Sequence, residues 1–130
     1  MKRHNPATVA APFATYAHGI EVDEPVRFLF GAGQVGVRPD GTVGEGIEEQ
    51  SRLVWRNITE VLASAGMEVK DIVQLNMLLL DPAHREGASA VRAEVLGDHR
   101  PASTLMYVVG LAGPEWLIEI DYIAARPVGA

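Results

Sequence analysis

The chain is predicted to fold as an α+β domain in which two helices cover one face of a mixed sheet. Five strand-like runs, rich in β-branched, aromatic and aliphatic residues, supply the first reason. Two stretches with apolar residues at helical spacing, each stopped by a glycine, supply the second. Their order along the chain, β-β-α-β-α-β-β with no internal repeat, is the third.

The first strand is expected around Tyr16 to Val22, ended by the turn Asp23-Glu24-Pro25, and the second runs from Val26 to Val37 up to the turn Arg38-Pro39-Asp40-Gly41. From about Ile47 to Ala65, the residues Ile47, Val54, Ile58, Val61, Leu62 and Ala65 recur at helical spacing, with Gly66 as the stop. Ile72 to Leu80 is strand-like, and Asp81-Pro82 breaks it before an Ala-rich helix from about His84 to Leu96, closed by Gly97. Two last strands, about Ser103 to Val109 and Trp116 to Ala124, are joined by the Gly110 to Pro114 loop. In the last strand Ile118, Ile120 and Tyr122 alternate with Leu117, Glu119, Asp121 and Ile123, so both faces carry apolar groups. Helices on a single face leave the other in water, and a subunit interface is the simplest cover.

At 130 residues the chain suits one domain with its own core. Hydrophobic content of 48% and charged content of 22% are those of an ordinary soluble protein, and no run approaches a membrane span. The N-terminus is basic and then mildly apolar, but Pro6 and Pro12 interrupt it, so a cytoplasmic location is expected. With no cysteine, disulfides, thiolate ligands and thiol nucleophiles are excluded. A net charge of -6 argues against nucleic acid as the main partner.

Gly31-Ala32-Gly33-Gln34-Val35-Gly36 matches the dinucleotide pattern GxGxxG, yet Pro39 and Asp40-Gly41 follow where that motif needs a helix. The glycines read better as a bulge or as places of close backbone approach. His4, His18, His84 and His99 lack the spacing of a metal site, and no serine sits in a GxSxG elbow, so neither a metal nor another cofactor is expected. Asn57-Ile58-Thr59 is a sequon only in form, since it lies within the long helix. Glu119, between Ile118 and Ile120, admits two readings: an edge or interface carboxylate satisfied by backbone N–H groups, or a general base or water-positioning acid in a cleft.

Tyr16-Ala17-His18-Gly19, Phe30-Gly31-Ala32-Gly33-Gln34-Val35, Ile47-Glu48-Glu49-Gln50, Asp71-Ile72-Val73, Arg100-Pro101-Ala102-Ser103-Thr104 and Leu117 to Ala124, in that order and spacing, resemble the RidA (YjgF) family. The resemblance implies a chorismate-mutase-like homotrimer, with a barrel of packed sheets at its centre, helices outside and a cleft at each subunit interface. It also implies a small metabolite as the partner, and hydrolysis of 2-imino acids to 2-oxo acids and ammonia as the family's reaction. By this resemblance Glu119 takes the position of the glutamate that orients the attacking water, and Tyr16 that of a tyrosine that helps close the cleft. Gly33 takes the position of a glycine lining it, and Ser89 that of an asparagine on the second helix.

The family's carboxylate-gripping arginine is replaced here by Ser103. A guanidinium offers a carboxylate two parallel charged hydrogen bonds of about 1.5–3 kcal/mol each, whereas a hydroxyl offers one neutral bond. The expected reading is therefore a family member that binds a metabolite without ordinary 2-imino acid deaminase activity. Arg92 and Arg100 are the candidates to take over the grip, against the ordinary solvated or helix-supporting role of such residues. The alternatives are an imine or enamine deaminase that still uses Glu119 to position water, and an endoribonuclease or translation inhibitor. The acidic charge disfavours the last.

Overall fold

The computed structural model describes residues 1–130. Its elements are β1 (Lys2–His4), β2 (Gly19–Glu21), β3 (Val26–Val35), α1 (Gly46–Ser64), β4 (Ile72–Leu79), α2 (Arg85–Leu96), β5 (Ala102–Tyr107) and β6 (Ile118–Pro127). Strands β3, β6, β4 and β5 form one sheet in that order, with β4 and β5 parallel and the other neighbours antiparallel. The parallel pair is joined through α2, as a crossover requires. The α+β fold, the mixed sheet and the two helices on one face are those expected.

Two features depart from the expected order. Lys2–His4 forms a strand that the sequence reading does not contain, and it pairs antiparallel with β2 as a separate two-stranded ribbon. The first expected strand is also shorter, starting at Gly19 and not at Tyr16. Tyr16 N–H bonds to Ala14 O, and Ala17 N–H to Pro101 O, so residues 14–17 turn and lie against the start of β5. Tyr16 is thereby moved from a sheet to a loop beside the sheet edge.

The helices sit where apolar spacing puts them. Val54, Trp55, Ile58 and Leu62 of α1 are at most 1% exposed, as is Val91 of α2, and they pack on Leu75, Met77 and Leu79 of β4 and Ile118, Ile120 and Tyr122 of β6. Alternation in the strands explains why these residues, and not their neighbours, are covered. Gly66, at φ +68, ends α1 by letting the Met67 N–H bond back to Leu62 O at 2.9 Å, a stop that a side chain would strain.

Gln50 in the second turn of α1 is 2% exposed and has its hydrogen bonds met at both ends of the amide. Its Nε2 donates to Gly44 O at 3.0 Å and to Glu115 O at 2.8 Å, while its Oε1 accepts from Leu117 N–H at 2.8 Å. This ties the residues just before β6 to α1, and β6 accordingly begins at Ile118 and not at Trp116.

The other face of the sheet is uncovered. Phe28 and Phe30 stack there with ring centroids 6.0 Å apart and are 54% and 74% exposed, and Met106 at the far side is 47% exposed. Leu78 and Ile123 lie between them at partial burial. Between these apolar groups the same face carries Asn76, whose Nδ2 donates to Asp121 Oδ1 at 2.8 Å.

Candidate functional site

The glycine motif in β3 is a bulge, the β3–β6 register shifting between Gly31 and Gln34, and no helix opens at it, since α1 begins only at Gly46. A Cβ at Gly33 would collide with the Glu119 carboxylate, so the missing side chain makes room for Glu119 to lie across β3. Glu119 is the register partner of Val35 and of Leu78, and it projects from the uncovered face, opposite to Ile118 and Ile120. Gly33 and Glu119 thus form one pair, on a half-exposed surface with no helix over it.

A second group assembles at the β5 edge, on the helix side of the sheet. There a cleft of about 430 Å³ opens between α2, β5 and residues 13–16. Tyr16, Ser89, Arg92 and Ser103 all line it, with Met77 and Leu105 as an apolar floor. Residues that register together in parallel strands share a face, so Leu75 and Ser103, and Met77 and Leu105, turn toward the helices as pairs. The Tyr16 hydroxyl accepts from Phe13 N–H at 3.2 Å, and its ring meets His18 edge-on at 5.8 Å.

Arg92 is the electrostatic centre of this cleft. It is 8% exposed, and its Nη1 donates to Ser103 Oγ at 2.8 Å and its Nη2 to Thr15 O at 3.2 Å. Its Nε is buried without a partner. Burial, and then the charge of Arg100, lower its pKa from the usual guanidinium value. Arg85 joins it in the lining, and no Asp or Glu does. In a chain of net charge -6, this cleft is locally cationic.

Arg100 does not reach the cleft. Its Nη1 donates to Gly97 O at 2.7 Å and to His99 O at 3.3 Å, so the guanidinium satisfies carbonyls just past the C-terminus of α2. Of the sequence candidates, then, Tyr16, Ser89, Arg92 and Ser103 meet in one place, Gly33 and Glu119 in another, and Arg100 in neither. Within one chain the sheet separates the two groups. Arg85 was not among the sequence candidates, because an arginine opening a helix carries no signal that distinguishes it from a solvated one.

The chain as a whole matches a wider set of proteins. The family model described as Endoribonuclease L-PSP matches residues 7–126. The chain is 36% identical over 101 residues to the RutC family protein YjgH of Escherichia coli, covering 76% of each protein. It is 33% identical over 117 residues to the RutC family protein PH0854 of Pyrococcus horikoshii, covering 88% of this chain and 90% of the relative. The crystal structure of the Rid family protein YyfB from Yersinia pestis, described as of unknown function, superposes with a TM-score of 0.84 at 31% identity, over 96% of this chain and 98% of that one. Matched across nearly its whole length in sequence and in fold, the chain belongs to the RidA (YjgF) family, whose model carries the name Endoribonuclease L-PSP.

Proposed function

We propose that this protein is a homotrimer that binds a small metabolite in clefts between its subunits, without the ordinary hydrolysis of 2-imino acids. The observation that carries this reading is the separation of the two candidate groups. Tyr16, Ser89, Arg92 and Ser103 line the cleft at the β5 edge, while Glu119 projects from the uncovered face. A single chain leaves each group half built, whereas neighbouring chains packed through their uncovered faces supply both groups to one cleft. The exposed Phe28, Phe30 and Met106 favour such packing, since burying them in an interface removes apolar surface from water. Ser103 stands in place of the strand arginine, and the guanidinium that lines the cleft comes from α2 instead.

Two measurements test this. Sedimentation equilibrium is expected to give three times the 14.0 kDa chain mass. Iminopropionate generated in situ is expected to decay no faster with the protein than in buffer, and accelerated decay removes the second half of the proposal. A slow imine hydrolase is the second reading, favoured by the cationic cleft; it requires accelerated decay that disappears in Glu119→Ala. The acidic net charge and the absence of any basic stripe leave an RNA-directed role without support.

A further inference from the structure

We infer that the cleft recognises a carboxylate and that Arg92, from helix α2, is the group that holds it, so the anchoring charge has moved from the strand position now occupied by Ser103 to the helix opposite. The inference deepens the metabolite-binding reading above and rests on it. A guanidinium has five N–H groups, and the one on Nε is enclosed here and cannot reach a ligand. Nη1 gives one N–H to Ser103 Oγ and Nη2 gives one to Thr15 O, which leaves one N–H on each terminal nitrogen. Two donors on one planar fork match the two oxygens of a carboxylate.

Charge accounting points the same way. Arg92 is more than nine-tenths buried, enters none of the chain's ion pairs, and shares its cleft with Arg85 and no acidic side chain. A buried cation held only by neutral oxygens is costly to keep unless an anion completes it. The rest of the cleft limits that anion. Met77 and Leu105 offer an apolar floor, and Tyr16, Ser89 and Ser103 offer neutral hydroxyls, which suits a carboxylate on a small, partly apolar body. A phosphate dianion would face a single enclosed cation, its second charge answered only by the exposed Arg85. Ser103 is then a positioning residue: its hydroxyl accepts from Nη1 and orients the fork toward the cleft.

The test compares matched acids and neutral amides on the full-length protein by NMR titration: pyruvate against pyruvamide, benzoate against benzamide, with inorganic phosphate as a third probe. Each acid is expected to bind about tenfold or more tightly than its amide. Arg92→Gln is expected to remove that preference, bringing acid and amide to equal affinity. The variant Arg92→Ser combined with Ser103→Arg, which returns the guanidinium to the strand, is expected to restore acid binding. That rescue separates recognition from folding, because a purely structural arginine would not be replaced from the opposite wall. Equal affinity for acid and amide, or an acid preference surviving in Arg92→Gln, overturns the assignment to Arg92. Phosphate binding more tightly than either acid overturns the carboxylate. Binding of amides alone leaves the cleft as a metabolite site and sinks only the inference, whereas binding of no probe overturns the metabolite-binding reading with it.

Discussion

The two faces of the central sheet differ more than any other pair of regions in the molecule. On the helix side Ile118 and Ile120 are wholly enclosed and Tyr122 is 2% exposed, and the chain supplies every group that covers them. On the other side Phe28 and Phe30 stand largely in water, one strand away from a carboxylate set across a glycine. One face is completed by folding, and the other has the composition of a surface completed by association. The difference separates residues that determine the fold from residues that, in the homotrimer proposed above, meet a second copy.

The contrast is broken most directly by deleting volume on the enclosed face. Ile120→Ala is expected to lower the unfolding free energy by about 2–5 kcal/mol, measured by urea titration, because the surrounding side chains close only partly over the lost methyl groups. On the other face, Phe30→Asp is expected to leave the chain folded and reduce the sedimenting particle to a single 14.0 kDa chain. If the wild-type protein already sediments as one chain, the uncovered face is not an interface and the homotrimer fails with it. A smaller effect comes from the tie between α1 and the start of β6. Gln50→Ala strands the Leu117 N–H and two carbonyls, and is expected to cost about 1–3 kcal/mol, with faster amide exchange confined to residues 113–117.

The smallest effect is a pH dependence. His99 is half-buried, and burial, opposed by its hydrogen bond to Ile72 O, lowers its pKa below the ordinary 6.5. The unfolded chain therefore takes up the proton first as the solution is acidified. The contribution of a neutral His99 is fully present above pH 6.5 and is lost as the pH falls toward the depressed value. His99→Gln is expected to flatten the stability profile in that window; an unchanged slope would assign the dependence to other groups.

Much of the fold is legible because the pattern is strong where the chain is enclosed. Both helices begin and end within a residue or so of their expected limits, since apolar spacing and the glycines Gly66 and Gly97 act together there. Lys2–His4 is illegible because three polar residues have no periodicity, and their pairing depends on a partner strand fifteen residues away. The alternation of β6 separates Glu119 from Ile118 and Ile120 before any coordinates are known. Sequence alone does not tell which arginine enters the cleft. Arg92 and Arg100 are alike as residue types, and what distinguishes them is that one faces Ser103 across the α2–β5 packing while the other lies past the helix end among free carbonyls. Such a choice is made by tertiary geometry, to which local spacing is blind.

The amide of Gln50 has a consequence for how the segment after β5 can change over time. Because Glu115 and Leu117 are anchored to α1, the start of β6 takes its position from the helix and not from the length of chain that precedes it. The stretch from Val108 to Pro114, with Val109 fully exposed, is thereby uncoupled from Glu119. Residues gained or lost in that stretch would reshape the loop while Glu119 keeps its place over Gly33, so the loop can diversify without disturbing the strand that follows it.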